Sequence, residues 1–110
     1  MEYIFENKEQ LLQIAINDKA CEEGINFIKS CDSLQDVINN ACIKHRLWAI
    51  KKNYTQFSDK CKWQKLTGDD WRYLLTSQPQ FSDKCDWKKL SGDDWRYLLT
   101  YQPQLKKFKK

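Results

Sequence analysis

Apolar residues recur along most of the chain at the i, i+3 and i+4 spacing of a helix with one buried face. Leu11, Leu12, Ile14 and Ala15 mark a helix over about 8–17, for which Asn7 with Gln10 supplies the N-terminal cap. Cys21, Ile25 and Ile28 share one face of a second, over about 19–30. Gly24 inside it costs about 1 kcal/mol relative to alanine, which suits a site of close packing. Ser33 with Asp36 starts a third helix carrying Leu34, Val37, Ile38 and Ala41. A fourth runs over about 43–53 with Leu47, Trp48 and Ile50. Only Tyr3-Ile4-Phe5 hints at a strand. The pattern predicts an all-α protein.

The second half of the chain is a tandem repeat. Phe57 to Gln80 and Phe81 to Gln104 align without a gap and are identical at 20 of 24 positions. They differ at Lys62/Asp86, Gln64/Lys88, Thr67/Ser91 and Ser77/Tyr101. Thr67 and Ser91 read as N-caps, each with an aspartate three residues on in a capping-box arrangement (Asp70, Asp94). Asp69 and Asp93 suit the positive end of the helix dipole. Trp71, Leu74 and Leu75, and their copies, then form one apolar face. Gln78-Pro79 ends that helix, because a residue before proline avoids the α region. Ser58 or Ser82 would cap a second, shorter turn, so each repeat reads as two short helices, with Cys61 and Leu66 pointing inward. A unit this small cannot bury its face alone, so neighbours must stack. Carried upstream, the register places Leu47 at the position of Trp71, Ile50 at Leu74 and Cys42 at Leu66, a worn third copy over 33–56. The expected organisation is a helical region over 1–56, repeats over 57–80 and 81–104, and a basic tail over 105–110. With no Gly/Ser or Pro linker between them, all belong to one compact domain.

Composition narrows the chemistry. The chain has 110 residues, 41% of them hydrophobic, including five Trp, five Tyr and five Phe. That is too apolar for a disordered chain, and 31% charged residues with no long apolar run leave no membrane span. Residues 1–16 carry Glu2, Glu6, Lys8 and Glu9 instead of an export segment, so a cytoplasmic protein is expected. The five cysteines, Cys21, Cys31, Cys42, Cys61 and Cys85, never fall at C-x-x-C spacing. They are expected to be buried free thiols, and no metal or cofactor is expected. His45 lies between Lys44 and Arg46 and reads as a surface histidine. The pairs Asp69-Asp70 and Asp93-Asp94 are explained by their place at a helix start, since adjacent residues diverge on a helix. No small-molecule substrate is implied, and we expect a binding protein, not an enzyme.

Net charge is +4 and uneven. Residues 1–52 hold eight acids and seven bases, whereas residues 53–110 hold seven acids and twelve bases. Lys60, Lys65 and Arg72 recur at 24-residue spacing as Lys84, Lys89 and Arg96, and stacking would align them in rows. Tyr73 and Tyr97 lie beside the arginines. Lys106 and Lys107 extend the basic character into the tail. Such rows suit a protein surface or, through stacking on bases, RNA. The interspersed acids Asp59, Asp69, Asp70 and Asp86 weaken a phosphate track and leave open a mixed, solvated face.

Two stretches resemble known patterns. Ala20-Cys21-Glu22-Glu23-Gly24-Ile25-Asn26-Phe27-Ile28-Lys29, then Ser33-Leu34, Cys42 and Leu47-Trp48-Ala49, resemble a motif of small phage proteins, A-C-x-E-G-x-x-W-L-K followed by a helix and L-L-W-x-A. Phe27 stands where that motif has tryptophan. The run from Trp71 to Trp87 resembles tandem W-x-x-L-L-x-x-Q-P-x-F repeats of bacterial proteins. Neither resemblance supplies a catalytic residue. The first implies a phage setting in a bacterial host cell. Small phage proteins of this build include inhibitors of CRISPR nucleases. The resemblance thus implies an anti-CRISPR-like inhibitor that binds a bacterial RNA-guided defence nuclease or its ribonucleoprotein. A nucleic-acid-binding phage accessory protein and a generic protein-interaction module are the alternatives.

Overall fold

The protein is all-α. A computed structural model describes residues 2–59 and 61–109, and the chain divides into two compact units with the boundary between Cys61 and Lys62. That boundary lies inside the first repeat as the sequence aligns it, so Phe57 belongs to the first unit.

The first unit contains α1 (Lys8–Asn17), α2 (Glu22–Ser30), α3 (Leu34–Asn40) and α4 (Ile43–Lys51). The Asn7 side chain accepts the Gln10 amide at 2.9 Å, and the Gln10 side chain accepts the Glu6 amide at 2.8 Å. Ser33 caps α3 by accepting the Asp36 amide at 3.2 Å. Cys21 caps α2 with its sulfur, accepting the Gly24 amide at 3.4 Å. Leu11, Ala15, Ile28, Val37, Ile38, Leu47, Ile50 and Phe57 fill the core. Tyr3-Ile4-Phe5 forms no strand; Tyr3 makes one isolated parallel bridge with Tyr54. Tyr54 is buried edge-on to Tyr3, Phe5 and Trp48, and its hydroxyl donates to Asp18 at 2.6 Å.

Arg46 is the unexpected core residue. Its guanidinium is buried and donates to the carbonyls of Ile38 and Ala41 at the end of α3, and to that of Phe57 at 3.0 Å. A cation at a helix C-terminus meets carbonyls left without intrahelical partners. Burial still lowers its pKa from the usual arginine value. His45 differs from the expected surface histidine. It is half-buried, beside Gly24 and the Phe27 ring, and its Nε2 is buried with no hydrogen-bond partner among the described residues.

The second unit holds α5 (Gly68–Ser77) and α6 (Gly92–Tyr101), which pack against each other. Both capping boxes form as the sequence suggests, Thr67 with Asp70 and Ser91 with Asp94. Each repeat differs from the expected pair of helices. It has one α-helix, preceded by a short 3-10 turn (63–65 or 87–89) and followed by a longer one (79–84 or 103–108). Ser82 lies within the longer turn and does not cap it. Proline opens each of these longer turns, where its missing N–H costs nothing. The structural unit thus begins at the first tryptophan and ends after the proline turn.

Trp71, Leu74, Leu75, Trp95 and Leu98 are buried. Trp63 stacks on Trp71 with ring centroids 5.7 Å apart, and Trp87 on Trp95 at 5.2 Å. A third ring completes each stack from a different position. In the first repeat it is Phe81, 5.2 Å from Trp63. Leu105 occupies the equivalent place in the second, and Phe108, standing where the first repeat has Lys84, stacks on Trp87 at 4.7 Å. The segment read as a basic tail therefore carries buried Leu105 and a stacked Phe108, while Lys106 and Lys107 are exposed.

After α4 a 3-10 turn over 55–57 stands 24 residues before the one that opens at Pro79, but Cys42 is exposed where Leu66 is buried. Leu47 and Ile50 are buried at the positions of Trp71 and Leu74.

Candidate functional site

The joint between the two repeats is the best-defined polar assembly in the second unit. Arg72 of α5 reaches Asp94 of α6, Nη1 to Oδ1, at 3.3 Å. Its guanidinium also lies over the Tyr97 ring, 5.2 Å from the centroid, and 3.6 Å from Asp69. Asp94 is buried. Its Oδ2 accepts the Ser91 amide at 3.0 Å, so one carboxylate closes the helix cap and receives the arginine. Lys89 Nζ donates to the carbonyls of Gln64 at 2.6 Å and Leu66 at 2.8 Å. Gln102 donates to the Thr76 carbonyl at the far end of α5, at 2.8 Å. Gly68 lets the chains approach. A Cβ there would sit 2.4 Å from the Lys89 carbonyl oxygen and 2.8 Å from Asp94 Oδ2.

The same residues one repeat later are arranged differently. Arg96 is 82% exposed at its side chain, against 36% for Arg72, and among the described residues pairs only with solvent-exposed Asp93 at 3.7 Å. A Cβ at Gly92 meets nothing within 4 Å. Tyr97 is 46% exposed despite the arginine over it, and Tyr101 is 56% exposed. Their rings are tilted against each other at 5.0 Å.

The structure divides the expected binding residues. Arg72, Tyr97 and Lys89 meet in the joint. Arg96, Lys65, Lys84, Lys106 and Lys107 are exposed, with Lys107 Nζ 5.3 Å from the Phe108 ring centroid. Tyr73 is 38% exposed, and burial raises its pKa. Lys60 lies outside the described residues. Sequence reasoning missed Asp94, Gly68, Gln102 and Tyr101. Tyr101 carried a signal, being an aromatic replacement at one of the few positions where the repeats differ.

The thiols depart from expectation. All five cysteines are free, but Cys21 and Cys42 are exposed, at the starts of α2 and α4. Cys61 and Cys85 are partly buried. Burial raises the Cys61 thiol to about 11 despite nearby Arg46. Burial, helped by Asp86, raises the Cys85 thiol to about 12. No group of three or more His, Cys, Asp or Glu side chains suited to a metal occurs among the described residues. Nor is any helix among them long and apolar enough to cross a membrane.

The fold and this joint define an all-α protein with tandem helical units. Compared with known proteins, the chain matches no family model, no curated protein and no solved structure.

Proposed function

We propose that the protein is a non-enzymatic binding protein that blocks a bacterial RNA-guided defence nuclease by occupying it stoichiometrically. The observation that carries a binding role is the exposed edge of α6, where Arg96, Tyr97 and Tyr101 stand out of the surface. Arginine and tyrosine are enriched among residues that dominate binding energy. Lys106 and Lys107 follow on the next 3-10 turn and would steer association with an acidic surface or with bound guide RNA. The choice of target is supported by the phage-type motif over 20–49. Its setting would be the cytoplasm of the host cell.

The test is a titration against a purified RNA-guided nuclease, read by DNA cleavage. Inhibition should saturate at a fixed ratio of protein to nuclease. Replacing Arg96 and Tyr101 together by alanine should abolish it while the melting temperature is retained. One molecule inactivating many nuclease molecules would defeat this reading.

A nucleic-acid-binding accessory role is the second reading, favoured by the exposed Lys84, Lys88, Lys106 and Lys107. It predicts affinity that falls steeply with salt.

A further inference from the structure

The joint shows what one repeat offers the next. The first repeat presents two carbonyls before its helix (Gln64, Leu66), a glycine at the first helical position (Gly68), an arginine (Arg72) and a carbonyl near the helix end (Thr76). The second repeat answers with Lys89, Asp94, Tyr97 and Gln102. The donors and acceptors match in kind. An ammonium meets two carbonyls, a guanidinium meets a buried carboxylate and an aromatic face, and an amide meets a carbonyl.

The second repeat carries the offering face again, in Lys88, Leu90, Gly92, Arg96 and Thr100. It is unfilled among the described residues. Lys89 donates to the carbonyls of Gln64 and Leu66, whereas among the described residues no lysine side chain is seen donating to those of Lys88 and Leu90, Gly92 faces open space, and Arg96 has its exposed neighbour Asp93. We infer that this face is a docking surface for a further helical unit presenting the answering set. That set is a lysine, an N-capped helix with aspartate at its third position, a tyrosine three residues on, and a glutamine just past the helix end, in the spacing K-x4-D-x2-Y-x4-Q.

The occupant follows from the existing interface, because the same residues in the same order already bind that set 24 positions earlier. A second copy of this chain is the weaker candidate. Its remaining answering set is Lys65, Asp70, Tyr73 and Gln78. Gln78 is 7% exposed and, like Tyr73, already engaged. The inference rests on the reading that Arg96 faces a partner, but not on that partner being a nuclease.

The probe is the full chain extended by a third copy of residues 85–108 placed directly after Phe108. Its readouts are thermal melting and amide hydrogen exchange, with no nuclease present, so its outcome is independent of any inhibition assay. The third copy should become protected from exchange and raise the melting temperature by at least about 5 °C. In the extended chain Arg96→Ala and Gly92→Ala should then lower the melting temperature, although neither lowers it in the natural chain. A control extension with the third copy's Asp and Tyr of the answering set replaced by alanine should lose protection. A third copy that exchanges freely, or an Arg96→Ala substitution silent in the extended chain, would overturn the inference. Concentration-dependent association of the natural chain in sedimentation, lost in Arg96→Ala, would overturn it in favour of a second copy.

Discussion

The nine residues Gly68 to Thr76 recur unchanged as Gly92 to Thr100, yet the two segments hold different positions. In the first, the glycine is pressed against another backbone and the arginine grips a buried aspartate. In the second, the glycine borders open space and the arginine is solvated. Both helices have the same capping-box geometry, through Thr67 or Ser91, and bury the equivalent tryptophan, so local sequence accounts for what they share. The difference comes from the neighbour: α5 has a following repeat packed on it, and among the described residues the equivalent face of α6 does not. Identical side chains thus act as a joint in one place and as available surface in the other.

The tryptophans probe what the two segments share. Trp71→Ala and Trp95→Ala should each cost about 3–5 kcal/mol by denaturant unfolding. Trp71 should lie at the upper end, since it is fully buried whereas Trp95 retains 8% exposure. Equal melting of parent and both variants would mean that these rings do not form the core.

The glycines break the comparison open. Gly68→Ala should lose about 1–3 kcal/mol, the range for forcing atoms into a packed site. Gly92→Ala should be neutral or gain up to about 1 kcal/mol, because neither glycine has positive φ and alanine restricts the unfolded chain. Chemical denaturation of the two variants side by side measures the gap.

A smaller effect separates Cys61 from Cys85, which occupy one repeat position but belong to different units. Both thiols are held neutral by burial, with folded values of about 11 and about 12 against an ordinary 9.0. The native state therefore keeps its protons longer than the unfolded chain. The associated stability is complete below pH 9 and is lost as pH rises through 11 and 12. Cys85→Ala should remove more of this alkaline loss than Cys61→Ala, as read from unfolding midpoints between pH 8 and pH 11.

Much of the fold was legible because its signals are local. Asn7, Ser33, Thr67 and Ser91 cap the helices they precede in sequence, and Gln78-Pro79 ends α5 where the proline rule places it. Arg46 was not legible as a core residue, because its partners are carbonyls that exist only once α3 has ended. Nor was the ring stack of the second repeat, where Phe108 serves from a position that is lysine in the first. The candidate site was legible as a set of residue types but not as a division of roles. A near-perfect repeat predicts equivalent rows, and equivalence fails because α5 has α6 packed on it while Gly92 and Arg96 of α6 are open among the described residues. Lys89 and Arg72 were legible as basic residues, whereas their commitment to carbonyls and a carboxylate about one repeat away was not.

The most direct test is to unfold Arg72→Ala and Arg96→Ala in parallel under identical conditions. Loss of Arg72 leaves the buried Asp94 carboxylate without its cation and uncovers Tyr97. It should cost about 1–3 kcal/mol, the scale of a hydrogen bond to a charged group whose partner stays buried. Loss of Arg96 removes only an exposed contact and should change stability by no more than about 0.5 kcal/mol. Equal losses from the two variants would contradict the claim that one sequence serves as a joint in the first repeat and as open surface in the second.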